Sequence, residues 1–300
     1  MSFFQIDTWI AFTLLAAFMQ AIRTAGQKQL SEKLSSLATA VVRYIFALPF
    51  AWGYLYWMVE RYEVTIPTLN TTFIQYASIA SVAQLIGTAC LVAAFSYRNF
   101  AVATSLAKTE AIQVAIIGAV FFGASLSAFG WFSVVIGMVG VLLLSKVKFT
   151  WQDIFNNPGA AYGLASGLGL AITTSLIREA SLALNTHLMV SAAITLVFLI
   201  TAQSILAAIY LLFTDISQFR KMVVNWRLAL FVGVTSVLGS IGWFTAASYQ
   251  TAAYVKALGQ VEFFFTLILT YRVFKEKVTF VEIIGMALIV ISVIVLLLFA

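Results

Sequence analysis

The sequence predicts an all-α membrane protein with ten transmembrane helices, arranged as two inverted five-helix repeats. Three observations support this fold class. The 300 residues are 62% hydrophobic and only 9% charged, whereas a soluble domain carries about 25% charge. The mean hydropathy is +1.02. Ten apolar segments follow one another, and residues of the first half recur in the second at a nearly constant spacing.

Each apolar segment is close to the ~20 residues that a helix needs to cross a ~30 Å hydrocarbon core. The linkers are too short to hold a soluble domain. Pro49 lies inside the second segment and predicts a kink there, whereas Pro158 precedes the sixth and suits a first helical turn. The predicted helices are Trp9–Gly26, Leu37–Met58, Phe73–Ser96, Phe100–Phe121, Ala128–Leu144, Gly159–Ile177, Leu188–Phe213, Leu228–Tyr249, Ala252–Tyr271 and Thr279–Leu298.

The internal repeat predicts two halves, residues 1–150 and 151–300, with five helices each. Because five is an odd number, the two halves enter the membrane from opposite faces, as in many secondary transporters. Pairs 152 positions apart are Gly87 and Gly239, Ala94 and Ala246, Ser96 and Ser248, Tyr97 and Tyr249, Glu110 and Glu262, and Val141 and Val293. Pairs 150 positions apart are Ala21 and Ala171, Ile22 and Ile172, Thr24 and Thr174, and Lys28 and Arg178.

Charge placement predicts the topology. Only Arg61 and Arg178 fall on one side of the predicted membrane. By the positive-inside rule the crowded side is cytoplasmic, which puts both termini outside. The basic residues of the crowded side are Arg23, Lys28, Lys33, Arg43, Arg98, Lys146, Lys148, Arg220, Lys221, Arg227, Arg272, Lys275 and Lys277.

Charged residues inside the fourth and ninth helices indicate the functional site, because a charge at membrane depth costs a few kcal/mol and is a functional-site hypothesis by default. Glu110 follows Arg98 by 12 residues, or ~18 Å along a helix, and Glu262 follows Gln250 by the same number from the opposite face. Both carboxylates are therefore predicted near the midplane, where inverted-repeat carriers bind substrate.

Positions two apart on a helix do not face each other, so Glu262 is the hypothesised partner of Lys108, with Glu110 as the alternative. Lys108 would either balance the charge of the glutamates or bind a substrate carboxylate. Gln260 takes the matching place before Glu262. The carboxylates would bind substrate or protons, and the structural alternative is a buried ion pair that fixes helix register. Lys256 lies nearer the outer end of its helix and is predicted to extend toward water.

Four further residues are candidates for the pocket: Gln84 and Ser240 as polar lining, and Trp243 and Tyr249 as aromatic walls. Packing between helices or against lipid is the alternative for each. Ser133 and Gly137, four residues apart, predict a close approach of a neighbouring helix.

Enzyme, nucleic-acid and metal chemistry are not indicated. The sequence has no phosphate-binding GxxxxGK[ST] loop and no HExxH motif, and its single histidine, His187, has no ligand companions. The basic residues lie in short loops and form no patch for nucleic acid. The expected partners are a small-molecule substrate, with or without a proton, and membrane lipids, but no cofactor. Both a monomer and a homodimer are compatible with the sequence.

This organisation resembles the drug/metabolite transporter superfamily, specifically its EamA type, over nearly the whole chain. The most specific part is the acid, threonine and glycine at Glu276, Thr279 and Gly285. The first half has Ala124, Ser127 and Ser133 at those places, and the family's prolines after the two glutamates are replaced by Ala111 and Phe263.

The resemblance implies a transporter of amino acids or related metabolites in the plasma (inner) membrane of a bacterium, with export as the favoured direction. It also implies cytoplasmic termini, opposite to the charge count. The leading hypothesis is a secondary active transporter that works by alternating access. The alternatives are a lipid or hydrophobic-cation translocator, favoured by the very apolar composition, and a non-transporting membrane scaffold.

Overall fold

The computed structural model describes residues 7–94, 105–144, 158–274 and 279–300. These ranges are predominantly helical and contain no strand. The helices are α1 (Thr8–Leu30), α2 (Ser36–Ile45), α3 (Leu48–Tyr62), α4 (Thr71–Ala94), α5 (Glu110–Phe121), α6 (Ala128–Leu144), α7 (Pro158–Ala183), α8 (Leu188–Thr214), α9 (Ser217–Val224), α10 (Trp226–Tyr249), α11 (Ala252–Gly259), α12 (Glu262–Phe274) and α13 (Phe280–Phe299).

Seven spans in the described ranges are long and apolar enough to cross a membrane: α1, α2 with α3, α4, α7, α8, α10 and α13. The shorter helix α6 is apolar as well. The predicted fourth and ninth helices differ most from expectation, since each is interrupted shortly before its glutamate. The all-helical membrane class agrees with the prediction, whereas the count of ten spans remains a prediction.

Pro49 interrupts the predicted second helix near the position where the sequence predicts a kink. The predicted second helix is divided into α2 and α3, and Pro49 lies in the first turn of α3. Proline has no amide hydrogen to donate and its ring restricts the preceding residue, so the helix restarts instead of running straight through. The expected kink is therefore a short break at residues 46–47.

Several residues discussed above lie outside the described ranges. They are Ser96, Tyr97, Arg98, Lys146, Lys148, Lys275, Glu276 and Lys277.

The described helices form two compact units. The first consists of Met1–Val82 and Leu176–Tyr249. In it α1 packs along α10, and α8 packs against α2, α3 and α10. The amide of Ser35 donates to Gln218 Oε1 at 3.2 Å, which joins the start of α2 to α9.

The second unit consists of Ala83–Ser175 and Gln250–Ala300. In it α6 packs along α13, and α11 contacts α5, α6 and α13. Each compact unit takes helices from both halves of the sequence, so the units are distinct from the predicted sequence repeats. The division into residues 1–150 and 151–300 remains a prediction about the repeat.

Small residues allow α6 and α13 to approach closely. A Cβ built on Gly140 would lie 2.7 Å from the carbonyl oxygen of Gly285, and one built on Gly285 would lie 2.8 Å from that of Gly140. The hydroxyls of Ser133 and Ser292 each donate to the other residue's carbonyl, at 2.9 and 2.8 Å. Glycine contact and paired hydrogen bonds are the means by which helices associate where water is absent.

The motif residues Thr279 and Gly285 both have structural roles. Thr279 is the N-cap of α13, and the Glu282 carboxylate accepts hydrogen bonds from its amide and hydroxyl at 2.6 and 2.8 Å. This reciprocal cap satisfies amide groups that a helix start leaves without partners. Gly285 is the contact point with α6.

Replacing Gly140 by alanine is expected to lower the free energy of unfolding by about 1–3 kcal/mol, because the added methyl group overlaps the backbone of α13. Gly53→Ala is the matched control, since nothing lies within 4 Å of its added Cβ. That substitution is expected to stabilise α3 by up to about 1 kcal/mol. Thermal unfolding of the purified variants in detergent would measure both. Equal stability of the two variants would contradict the close contact.

Candidate functional site

Two helices are interrupted at positions that correspond in the repeat. Turns replace regular helix at Lys108–Thr109 and at Gln260–Val261, which are 152 positions apart. The amides of Lys108 and Thr109 donate to carbonyls three residues back, both at 3.0 Å, and those of Gln260 and Val261 do the same at 3.3 and 3.1 Å. Each helix therefore tightens into a 3₁₀-like turn, a feature that often marks a hinge.

A glutamate begins the new helix after each interruption. Glu110 is the first residue of α5, and Glu262 is the first residue of α12. A carboxylate in the first turn is stabilised by the positive end of the helix dipole. The repeat thus conserves the spacing between the tight turn and the acid as well as the acid itself.

The Glu110 carboxylate forms an ion pair with Lys256. Lys256 Nζ lies 2.6 Å from Glu110 Oε1, and the two side chains are 19% and 17% exposed. The hydroxyl of Thr174, in α7, lies 3.3 Å from the same oxygen. Three elements of the second unit, α5, α7 and α11, therefore converge on one carboxylate. In a largely water-free setting each charge depends on the other for compensation.

Lys108 takes a different position from the one predicted. Its ammonium lies 4.5 Å from the centroid of the Phe263 ring, and its side chain is exposed. This is a cation–π contact. In the described part of the chain the ion pair of these helices joins Glu110 to Lys256, and Lys108 forms none with Glu262. The pairing of Lys108 with Glu262 is corrected accordingly.

Gln260 is buried at the second interruption, with 6% of its surface exposed. It packs directly against Gly137, where any side chain would overlap it. This is the close approach that Ser133 and Gly137 predict. Its Oε1 is buried and accepts no hydrogen bond from the described residues. A buried acceptor of this kind is uncommon and calls for a partner such as water or a ligand.

Gln113 extends the polar cluster by one turn of α5. Its Nε2 donates to the Thr109 hydroxyl at 2.9 Å, and its Oε1 is buried without a donor among the described residues. An open, mostly apolar groove of about 320 Å³ adjoins it, lined by Gln113, Ile116, Ile117, Leu164, Ala165 and Leu168. The charged centre thus lies beside a surface that suits an apolar group.

The remaining candidates are divided between the two units. Gln84 belongs to the second unit, with Lys108, Glu110, Gln260 and Glu262, whereas Ser240, Trp243 and Tyr249 belong to α10 in the first. All four are partly exposed.

Trp243, a predicted pocket wall, donates its indole hydrogen to Gln20 Oε1 at 3.0 Å.

Near the end of α10, Arg178 donates to the carbonyl of Ala247 at 2.8 Å, and the Ser181 and Ser248 hydroxyls are 2.6 Å apart. The last turn of α10 is therefore tied to α7.

Sequence reasoning missed two residues of the cluster. Lys256 was placed near the outer end of a continuous helix, but the turn at Gln260–Val261 divides that helix and Lys256 reaches Glu110 instead. Thr174 carried a usable signal, because it repeats Thr24 at 150 positions. Among the described residues no group of three His, Cys, Asp or Glu side chains could hold a metal ion.

Glu110→Gln and Lys256→Gln are each expected to destabilise the protein by on the order of 3 kcal/mol, because each leaves a largely buried charge without its partner. The double variant Glu110→Gln/Lys256→Gln should regain much of that loss. Thermal unfolding in detergent at neutral pH would measure the cycle. Lys108→Gln, combined with Glu110→Gln, is the control and should be additive. Additivity between Glu110 and Lys256 would contradict the ion pair.

Comparison with known proteins agrees with this architecture. A solved chain described as "Crystal structure of protein" is similar over 98% of this chain and 98% of its own, with a TM-score of 0.73 and 14% identity. At that identity the likeness shows the fold alone. Among curated proteins, none matches the chain.

The family model of EamA-like transporters matches twice, at residues 7–146 and 157–298. The two matches together cover nearly the whole chain and reproduce its two-repeat organisation. Proteins of this family are drug/metabolite transporters rather than enzymes. With its membrane-spanning helices, the chain is therefore an integral membrane protein that belongs to the EamA-like transporter family.

Proposed function

We propose that this protein is a secondary active transporter of small metabolites, amino acids or related compounds, that works by alternating access. The observation that carries the proposal is the pair of interrupted helices, each broken directly before a glutamate at corresponding positions of the repeat. Discontinuous helices at the repeat interface are where inverted-repeat carriers bind substrate and coupling ions.

The tight turns supply the mobility that such a cycle needs. A 3₁₀-like turn is held by poorer hydrogen bonds than an α-helix, so the chain bends there at lower cost than elsewhere. The ion pair between Glu110 and Lys256 joins α5 to α11 across these turns. A change in either partner's charge state or ligand would therefore alter the contact between the two interrupted helices.

The charged side chains of the two interrupted helices indicate how a substrate would be bound. Glu110 already has a cationic partner in Lys256, so a cationic substrate would have to compete with that lysine. Lys108 is exposed and contacts an aromatic ring, so it is the cation that a substrate carboxylate would meet. Gln260, with its buried acceptor, is suited to an N–H donor. Glu262 is assigned to substrate or proton binding by its match to Glu110.

Export across a bacterial inner membrane is the proposed direction and location, by analogy with the family. The orientation of the termini is open between two arguments. The lysine and arginine count favours termini outside, whereas the family analogy favours termini in the cytoplasm. Cysteine labelling near each terminus in intact cells would decide between them.

Glu110→Gln and Glu262→Gln are each expected to reduce transport by about tenfold or more, since a hydrogen bond to a charged group contributes roughly 1.5–3 kcal/mol. A thermal-shift screen of amino acids, amines and organic acids at two pH values would first identify a transported probe. Flux of that probe into liposomes then measures each variant. Glu32→Gln, an exposed acid in the turn after α1, is the control and should transport normally. Wild-type flux in both glutamate variants would refute their role.

A lipid or hydrophobic-cation translocator is the second candidate, and the apolar groove beside Gln113 favours it. Its lining includes Ile116 and Leu168, both about half exposed, which suits an acyl chain or a hydrophobic cation. Movement of a fluorescent phospholipid between leaflets of reconstituted liposomes would test this candidate. Flipping by the wild type with no flux of any metabolite probe would favour it over the first.

A further inference from the structure

The chain between α8 and α10 forms an amphipathic segment, here called the interfacial segment, from Phe213 to Arg227. Its central element is α9. Both α8 and α10 are membrane-spanning candidates that end and begin within a few residues of α9. The interfacial segment therefore connects the ends of two candidate spans, which is the part of a membrane-spanning chain expected to meet the lipid headgroups.

One face of α9 is fixed to the protein. Gln218 and Met222, four residues apart, are buried. Gln218 accepts a hydrogen bond from the Ser35 amide and donates to Asp215 Oδ2 at 2.7 Å. Asp215 also accepts from the Ser217 amide at 3.1 Å. These contacts fix the orientation of α9, so the side of the helix away from Gln218 and Met222 stays exposed.

The interfacial segment also exposes apolar and basic side chains, on α9 and on the residues that flank it. The apolar ones are Phe213, Ile216, Val223, Val224 and Trp226, of which Phe213 is 88% exposed. The basic ones are Arg220, Lys221 and Arg227, all exposed. With Asp215 as the one acid, the interfacial segment has two net positive charges. The Arg227 guanidinium lies 5.6 Å from the centroid of the Trp226 ring, and an aromatic–cation pair of this kind is typical of a membrane interface.

We propose that the interfacial segment is a binding site for the headgroup of an anionic phospholipid. The exposed apolar side chains enter the boundary between headgroups and acyl chains, and Arg220, Lys221 and Arg227 contact the lipid phosphate. Basic residues next to the end of a membrane-spanning helix attract anionic lipid headgroups in this way. The nearby turn after α1, joined to α9 through the Ser35–Gln218 hydrogen bond, carries Lys33 but also the acid Glu32, so it adds no net charge. The inference does not depend on the proposed transport function.

Native mass spectrometry of the purified full-length protein, with phosphatidylglycerol and phosphatidylcholine added in equal amounts, tests the proposal. The wild type is expected to retain phosphatidylglycerol preferentially. Each basic residue near a membrane surface contributes about a fivefold preference, so Arg220→Gln/Lys221→Gln should reduce the preference by roughly 25-fold. The charge-preserving variant Arg220→Lys/Lys221→Arg should keep it. Added salt should weaken it, because exposed charges are screened.

Three outcomes would overturn the proposal. One is equal retention of the two lipids by the wild type. The second is a preference in Arg220→Gln/Lys221→Gln no lower than in the control Arg61→Gln, which removes an exposed cation at the end of α3. The third is complete displacement of the lipid by millimolar inorganic phosphate, which would assign the site to a free anion. Thermal unfolding of each variant without added lipid checks that the fold is kept, as expected for exposed residues.

Discussion

Charges and backbone groups within a hydrocarbon layer must find their partners inside the protein, because the surrounding lipid offers none. The Glu110–Lys256 ion pair is the main local consequence of that constraint. It brings a side chain of α5 to a side chain of α11 at 2.6 Å, with the Thr174 hydroxyl nearby. The pair joins two short helices that each lie next to one of the interruptions. A transporter can use such a pair because its strength depends on what else occupies the site.

The repeat gives the two interruptions a common origin. A turn and an acid recur 152 positions apart, yet their surroundings differ. Lys108 before Glu110 is exposed over an aromatic ring, whereas Gln260 before Glu262 is buried against Gly137. The same turn therefore carries an exposed cation in one copy and a buried amide in the other.

The packing of α6 against α13 supports the charged cluster of the second unit. Glycine and serine on α6 and α13 bring backbones together, with Gly140 against Gly285 and Ser133 bonded to Ser292. The charged cluster of the second unit is held on this close-packed pair through Gln260 and α11. In the first unit α9 is fastened by Gln218, and its basic side chains remain exposed.

The membrane class, the two-repeat organisation and the close contact at Ser133 and Gly137 could be predicted from the sequence. These depend on composition, spacing and periodicity, which are properties of the chain alone. The partner of Glu110 was visible in the tertiary structure alone. The turn at Gln260–Val261 divides the predicted ninth helix, and Lys256, on the short helix before that turn, reaches Glu110. The ion-pair partner of Glu110 thus depends on a few backbone hydrogen bonds, which the spacing of apolar residues does not predict.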